Sequence, residues 1–176
     1  MTLRSFEKKF PILGKNVYID EHAVVIGNVT FGDHSSVWPM AVIRGDVNVI
    51  KIGAYTNIQD GAILHVTHAS EIAGPGYPLE IGNYVTIGHQ AVLHGCKIDD
   101  FCLLGIGSRI LDGAYLEPYT LVGAGCLVPP HKVLESGFLW IGQPARKARP
   151  LTQAERDYFK YSAEYYAKLH EQYQLT

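Results

Sequence analysis

The chain has 176 residues, of which 47% are hydrophobic and 18% charged, and its formal net charge is −2 at pH 7. This composition is typical of a folded protein and excludes a mainly disordered chain. The charge offers no basic surface for nucleic acid, no apolar run reaches membrane-spanning length, and the polar start MTLRSFEKKF is unlike a signal peptide. We therefore expect no nucleic-acid partner, no membrane partner and a cytoplasmic location.

A six-residue period of apolar residues runs through most of the chain. The anchors of this period are Ile19, Val25, Phe31, Val37, Ile43, Val49, Ile52, Ile58, Leu64, Ile81, Ile87, Leu93, Ile98, Leu104, Ile110, Leu116, Val122 and Val128. Small or β-branched residues stand four positions after most anchors, and glycine directly follows several of them. Such a period predicts a solenoid in which each hexad forms one short strand and a corner, and three hexads close one coil. We expect an all-β solenoid of about six parallel coils, with the glycines adopting unusual backbone dihedrals.

These signals predict a single domain over residues 1–176. The solenoid is expected over about residues 12–130 and ends near two prolines, Pro129 and Pro130, which halt regular strand pairing. A stretch rich in glycine and proline interrupts the period and predicts a loop insertion at residues 66–80. The alternative fold, a β-sandwich, would need an alternation of period two and a series of hairpin turns, and the sequence has neither.

The period becomes helical after Pro150 and predicts a C-terminal α-helix over residues 151–172. Thr152 and Glu155 have the spacing of a capping box at its start. We expect the helix to pack on the outer wall of the solenoid through an apolar stripe. The stripe consists of Ala154, Tyr158, Tyr161, Tyr165 and Leu169.

Several cysteines and histidines carry no pattern that indicates chemistry. Cys96, Cys102 and Cys126 fall in the small-residue position of their hexads, which favours buried thiols over disulfides or metal ligands. The histidines without a shared register are expected at the surface, and they are His22, His34, His131 and His170.

Two other histidines stand in matching positions of successive coils. His65 and His94 each follow an anchor, and these anchors are three hexads apart if the insertion replaces a single hexad. Their imidazoles would then project from the same side about 5 Å apart, which suits two ligands of one tetrahedral zinc. His89 lies on a different side, so a third ligand requires a homotrimer in which His89 comes from the neighbouring subunit. The alternative is that all three are hydrogen-bonded wall residues.

Three segments resemble the signature segments of gamma-class carbonic anhydrases in the hexapeptide-repeat family. They are IRGDVN at residues 43–48, NIQDGAILH at residues 57–65 and IGHQAVLHG at residues 87–95. The likeness covers nearly the whole chain. It implies a left-handed parallel β-helix, a homotrimer, zinc bound by His65, His89 and His94, and the reversible hydration of CO₂ to bicarbonate.

The resemblance also implies roles for polar residues near the metal. Arg44 and Asp46 resemble an ion pair across the subunit interface, Gln59 resembles the residue that holds the zinc-bound water, and Asn57 and Asp60 would support it. From the residues alone, Arg44 and Asp46 could instead form a solvated strand pair of little energy, and Asp60 could cap a corner.

Proton transfer is the point at which the chain departs from the family's archetype. The archetype has an acidic loop near the metal, whereas the insertion here offers Glu71 and, at its end, Glu80, with His68 as another titratable group. We therefore expect metal binding more firmly than fast turnover, with His68, Glu71 or no residue as the shuttle.

Other functions fit the same fold. The segment IGQPAR resembles the Gly-x-Pro-Ala ending of hexapeptide acyltransferases, which use one histidine as a general base and need no metal. A zinc-dependent thioesterase acting on acyl-coenzyme A and a non-catalytic trimer locked by metal are further alternatives. Fe²⁺ or Co²⁺ could replace Zn²⁺, because imidazole ligands suit several divalent metals.

Overall fold

The computed structural model describes residues 2–173, which form a left-handed parallel β-solenoid followed by one long helix. The predicted domain of residues 1–176 includes residue 1 and residues 174–176, which lie outside this range. The elements are β1 (Leu3–Arg4), β2 (Ile12–Leu13), β3 (Tyr18–Ile19), β4 (Val24–Phe31), β5 (Ser36–Val37), β6 (Val42–Ile52), β7 (Asn57–Ile58), β8 (Ile63–His65), β9 (Leu79–Ile81), β10 (Thr86–Ile87), β11 (Val92–His94), β12 (Lys97–Ile98), β13 (Leu103–Leu104), β14 (Arg109–Ile110), β15 (Tyr115–Leu116), β16 (Leu121–Val122), β17 (Leu127–Val128), β18 (Val133–Leu134), β19 (Phe138–Ile141), β20 (Arg146–Pro150) and α1 (Gln153–Tyr173).

The strands stack into three faces. The first face contains β3, β5, β7, β10, β13, β16 and β19, with β20 antiparallel at its end. The second face contains the first half of β4 and of β6, then β8, β11, β14 and β17, and the third face contains β2, the second halves of β4 and β6, then β9, β12, β15 and β18. We call the turn from first to second face the first corner, from second to third the second corner, and from third to first the third corner.

The interior is a stack of apolar anchors, as the six-residue period predicts. All the predicted anchors are buried except Ile19 and Val49. Anchors of successive coils lie directly over one another, as in the pairing of Ile58 with Ile87. Each fully buried aliphatic side chain contributes about 1.5–3 kcal/mol relative to an exposed one. The three cysteines are buried and free, as predicted, and burial raises the pKa of the Cys102 thiol to about 12.

The solenoid is longer than the sequence analysis predicts. Parallel pairing continues past Val128, because β15 pairs with β18 and β16 pairs with β19. Seven parallel strands therefore stack on the first face, rather than six. Pro129 and Pro130 lie in the turn between β17 and β18, where the chain needs no strand hydrogen bond.

The glycines after the anchors serve a different purpose from the predicted one. Residues with positive φ stand three positions after the anchor, as at Tyr55 with φ of 54° and Tyr84 with φ of 55°. Gly53 and Gly82, which directly follow anchors, do not have positive φ. A Cβ atom on Gly53 would overlap the backbone at Gly82 in the next coil. These glycines are required by the close approach of neighbouring coils.

Aromatic rings stack along the third corner. The column consists of His34, Tyr55, Tyr84, Phe101 and Tyr119. The centroids of neighbouring rings are 4.8–5.0 Å apart. This separation matches the spacing of about 4.8 Å between neighbouring strands, so one ring fits each coil.

The helix α1 starts at the predicted capping box and packs on the first face. The backbone N–H of Glu155 donates to Thr152 Oγ1 at 3.2 Å, and the backbone N–H of Thr152 donates to Glu155 Oε2 at 2.8 Å. The helix contacts β5, β7 and β10. No helix within residues 2–173 has the length and apolar character needed to cross a bilayer.

The predicted buried stripe of α1 is wrong. Tyr158, Tyr161 and Tyr165 are 51%, 62% and 51% exposed, and Ala154 is also exposed. The buried face instead consists of Phe159, Ser162, Ala163, Ala167 and His170. Serine and alanine allow the helix to approach the sheet closely, whereas a row of tyrosines would hold it away.

The histidines expected at the surface differ in their exposure in the structure. His22 and His131 are exposed and His34 is half-buried in the aromatic column. The prediction for His170 is wrong, because it is 1% exposed and its ring stacks on Tyr18. The helix carries His170 into the first face near its end.

Candidate metal centre

An irregularity in β6 shapes the second corner. Along β4 there are two steps from Gly27 to Val29, whereas their partners in β6, Gly45 and Ile50, are five steps apart. At this point β6 therefore has three more residues than β4. This explains the irregular anchor spacing in the sequence, and Ile50 takes the buried position predicted for Val49. The extra residues bring Asp46 next to His65.

His65 and His94 lie one above the other at the second corner. Their backbones pair directly between β8 and β11, which confirms that they are one coil apart. His65 Nδ1 and His94 Nε2 are 3.1 Å apart. Two nitrogens bound to one tetrahedral zinc at about 2.05 Å would be about 3.3 Å apart. The observed separation therefore fits two ligands of one metal ion.

The hydrogen bonds of these two histidines indicate which nitrogens carry protons. His65 Nε2 is 3.1 Å from Asp46 Oδ1, and His94 Nδ1 is 2.6 Å from Asp112 Oδ1. A carboxylate accepts, so each of these nitrogens carries a hydrogen, and in the neutral imidazole that binds metal the other nitrogen has a lone pair. The two nitrogens that face each other then both present lone pairs. A cation between them removes this repulsion, so the donor set fits a bound metal.

Charge and burial at Asp46 and His65 favour this arrangement. Burial raises the pKa of Asp46, but hydrogen bonds from Arg44 and His65 outweigh it and leave the pKa below its usual value. Burial lowers the pKa of His65 and outweighs the hydrogen bond with Asp46, which raises it, and the charge of Arg44 lowers the pKa further. His65 is therefore neutral at pH 7, which is the form that binds metal. Arg44 and Asp46 form a close ion pair within the chain.

Asp112 is a site residue that the sequence analysis missed. Besides holding His94, its Oδ2 accepts a hydrogen bond of 2.7 Å from Thr67 Oγ1, and the carbonyl of Thr67 accepts one of 3.0 Å from Asn48 Nδ2. Metal-binding histidines commonly hold their second nitrogen against a carboxylate. The signal available in the sequence is that Asp112 stands 18 residues, or three hexads, after His94.

The other predicted site residues lie at the first corner, at the opposite end of the second face. His89 Nδ1 is 2.9 Å from Asp60 Oδ2, and the side chain of His89 is 43% exposed. Its Nε2 has no hydrogen-bond partner among residues 2–173. Gln59 Nε2 donates to Asn57 Oδ1 at 3.1 Å. Within residues 2–173 of one chain, no group of three or more His, Cys, Asp or Glu side chains is placed to hold a metal ion.

We name these two groups the His65 half-site and the His89 half-site. The His65 half-site contains His65, His94, Arg44, Asp46 and Asp112. The His89 half-site contains His89, Asp60, Gln59 and Asn57. Each of the three histidines is held by its own aspartate.

The insertion after His65 spans the residues between β8 and β9. Thr67 bridges to Tyr77 and Ser70 bridges to Gly74, so the loop doubles back on itself. His68 and Glu71 are exposed, and in the described part of the chain neither side chain makes a hydrogen bond or ion pair with a half-site residue. Glu80 pairs with Lys51 at 3.2 Å. The structure therefore singles out no proton shuttle.

Comparison with known proteins decides the family. The chain is 43% identical over 168 residues to gamma carbonic anhydrase 1, mitochondrial, of Arabidopsis thaliana, covering 96% of this chain and 61% of that longer protein. It is also 46% identical over 160 residues to a probable carbonic anhydrase of Methanocaldococcus jannaschii, with 91% of this chain and 96% of that protein covered. It belongs to the gamma carbonic anhydrase-like family of hexapeptide-repeat proteins. The chain is also 49% identical over 171 residues to Protein YrdA of Escherichia coli, with 97% of this chain and 93% of that protein covered. No protein-family profile matches the chain.

A solved structure agrees with this family assignment. A hexapeptide transferase family protein from Anaplasma phagocytophilum superposes with a TM-score of 0.90 at 35% identity, covering 98% of both chains. The left-handed β-helix predicted from the family resemblance is thereby confirmed.

Proposed function

We propose that the protein is a zinc-dependent gamma-class carbonic anhydrase that hydrates CO₂ at the subunit interfaces of a homotrimer. The observation that carries the proposal is the division of the site into two half-sites at opposite ends of the second face. In a closed three-fold ring, the first corner of one subunit meets the second corner of the next. Each interface then joins a His65 half-site to a His89 half-site and assembles three imidazole ligands.

Exposed apolar side chains support contact between subunits at the first corner. Hydrogen bonds link Pro39 to Gly61, Asp60 to Gln90 and His89 to Gly107 in successive coils. In this column, the coil before Asp60 carries Met40, which is 67% exposed, and the coil after His89 carries Ile106, which is 56% exposed. Apolar side chains that bracket a polar half-site are typical of the core of a protein interface.

The chain's own residues would hold and orient the reactants. Asp46, Asp60 and Asp112 fix the ring orientation of the three histidines that would hold the metal. A bound zinc supplies the Lewis acidity that makes water nucleophilic at neutral pH. Gln59, whose Nε2 is engaged by Asn57, has its Oε1 available to orient the attacking water. Arg44 forms an ion pair with Asp46, which would hold that carboxylate in place against the His65 ring.

The experiment is metal analysis and sedimentation of freshly purified protein, followed by stopped-flow CO₂ hydration with and without a chelator. We expect a trimer with about one metal per subunit and activity that a chelator removes and zinc restores. A metal-replete monomer, or hydration unaffected by complete metal removal, would overturn the proposal. Adding back Fe²⁺ or Co²⁺ in place of Zn²⁺ identifies the metal that supports activity best.

Acyl transfer is a second candidate, because the structural relative from Anaplasma phagocytophilum is titled a hexapeptide transferase family protein. The paired histidines of the second corner, each held by an aspartate, favour metal chemistry over a single general base. Assaying the metal-depleted protein with acyl-coenzyme A and amine acceptors, and the zinc-loaded protein for thioester hydrolysis, distinguishes these reactions. Acyl transfer that survives metal removal would favour the acyltransferase. A trimer that binds metal but catalyses none of these reactions would favour the non-catalytic module.

A further inference from the structure

A chain of buried hydrogen bonds connects the C-terminal helix to Gln59. Ser162 Oγ on α1 lies 3.0 Å from Thr86 Oγ1 on the first face. Thr86 Oγ1 accepts a hydrogen bond of 3.0 Å from Asn57 Nδ2, and Asn57 Oδ1 accepts one of 3.1 Å from Gln59 Nε2. All four side chains are 6% exposed or less. The helix is thus linked to the site by polar contacts that water does not reach.

The donors and acceptors along this series of hydrogen bonds have a fixed order. Asn57 presents its NH₂ group to the Thr86 hydroxyl, so it must present its carbonyl oxygen to Gln59. That carbonyl accepts from the NH₂ group of Gln59, and the described residues make no hydrogen bond to Gln59 Oε1. With Thr86 Oγ1 as the acceptor from Asn57, Gln59 is left with Oε1, and not its NH₂ group, for a ligand.

The position of Ser162 has no explanation in helix stability. Serine is a poorer helix former than alanine in a helix interior, and Ala163 beside it shares the buried face. A buried hydroxyl also costs free energy unless it is hydrogen-bonded. The contact with Thr86 satisfies both hydroxyls and accounts for a serine at this position.

We propose that Ser162 and Thr86 are positioning residues that fix the amide of Gln59 through Asn57, with Oε1 directed toward the reacting water. The C-terminal helix is then a part of the catalytic unit as well as a cover of the solenoid. The catalytic consequence rests on the proposed carbonic anhydrase function, whereas the orientation of Gln59 does not.

The kinetic test compares Thr86→Val and Ser162→Ala with Ser108→Ala. Valine keeps the shape of threonine without the hydroxyl. Ser108 is a matched control because it is 0% exposed and its Oγ has no hydrogen-bond partner in the part of the chain that the structure describes. We expect kcat to fall about tenfold in Thr86→Val and in Ser162→Ala, with KM and metal content unchanged, because a misplaced orienting group acts on the transition state. Ser108→Ala should stay within about twofold of the parent, and Ser162→Thr should retain activity.

A double-variant comparison separates positioning from a structural effect. If Thr86 acts through Gln59, Thr86→Val should lower kcat no further in a Gln59→Ala background. Full additivity of the two losses, or an equal loss in Ser108→Ala, would overturn the proposal. Thermal unfolding of each variant identifies any that fail to fold, and Ser162→Ala then carries the test in place of Thr86→Val.

A readout that needs neither metal nor activity keeps the two proposals apart. In metal-free protein with labelled glutamine, the side-chain amide protons of Gln59 should shift and exchange faster in Thr86→Val than in the parent or in Ser108→Ala. If the parent protein does not hydrate CO₂, the proposed function fails while this result still supports the orientation of Gln59. Unchanged Gln59 amide signals in Thr86→Val would overturn the positioning chain whatever the activity.

Discussion

The two half-sites make a prediction about which inactive variants can restore each other. Gln59 lies in the His89 half-site, so in the proposed trimer it acts together with His65 of the neighbouring subunit. When Gln59→Ala and His65→Ala proteins are mixed, unfolded and refolded together, some interfaces combine the intact His65 half-site of the first with the intact His89 half-site of the second. When Gln59→Ala is mixed with His89→Ala, both lesions lie in the same half-site, so no interface is intact.

The size of the effect follows from the counting of subunits. Random mixing in equal amounts gives mixed trimers in about three-quarters of cases, each with one intact interface of three, so about a quarter of all sites are restored. Loss of an orienting hydrogen-bonding group lowers kcat by about 10²–10³-fold, so the parent variants contribute almost nothing to the measured rate. The first mixture should therefore reach about a quarter of native activity, or about a third once its mixed trimers have been purified, and the second should stay at the level of its parents.

The assay is stopped-flow CO₂ hydration on mixed trimers purified through two different tags, with native protein refolded in parallel as the control. Zinc content is measured as well, but it is not decisive for Gln59→Ala, which keeps all three ligands. Recovery in the mixture of Gln59→Ala with His89→Ala would refute the assignment of Gln59 to the His89 half-site. Verified mixed trimers of Gln59→Ala with His65→Ala that remain inactive would refute the shared site.

Three further predictions concern affinity, assembly and pH. Asp112→Asn should weaken zinc binding about 10–100-fold in a chelator competition, because the partner of the His94 ring loses its charge, and unchanged affinity would contradict its role. Ile106→Glu should dissociate the trimer in sedimentation, whereas Ile72→Glu, at a loop residue that is 100% exposed, should not, and equal behaviour would argue against a first-corner interface. Burial lowers the pKa of His170, so the unfolded state binds more protons, and the stability gained from neutral His170 is present above its unfolded pKa of about 6.5 and lost as pH falls below it. The free energy of unfolding measured in urea should therefore fall more between pH 7.5 and pH 5.5 for the native protein than for His170→Phe. An equal fall in the two proteins would show that the protonation of His170 does not change on unfolding.

The fold could be predicted because one short period determines it. An anchor such as Ile58 is required in every hexad, and its burial follows from the period alone. The length of the solenoid was harder, since Pro129 and Pro130 are breakers only where a strand must pair, and here they occupy a turn. The sequence does not state which positions are turns until the coils are stacked.

The helix shows the limit of a pattern read on one element. Both the tyrosine stripe and the buried face of α1 have helical spacing. The tyrosine stripe has the more apolar composition, so a prediction from the helix alone chooses it wrongly as the buried face. The choice depends on the partner surface, where Ser162 meets the hydroxyl of Thr86 and Phe159 meets the ring of Tyr119. Only the positions of those partners distinguish the stripes.

The sequence allows the candidate metal ligands to be predicted, but not the residues that hold these ligands in place. His65 and His94 share a register that the period displays. Asp112 lies at the same corner on the next coil, but a linear sequence does not show that its carboxylate turns back onto the His94 ring. The assignment of Gln59 to the opposite half-site likewise depends on knowing which corner follows β7.

The match between α1 and the solenoid restricts how this architecture can vary in length. One helical turn advances about 5.4 Å and one coil about 4.8 Å, so α1 meets a new coil at nearly every turn, from Tyr119 near its start to Tyr18 near its end. A coil inserted between β7 and β10 would move Thr86 away from Ser162 by one turn. Solenoids usually gain or lose repeats freely, whereas here a change of one coil would have to be accompanied by three or four residues of helix, so α1 acts as a gauge of the number of coils beneath it.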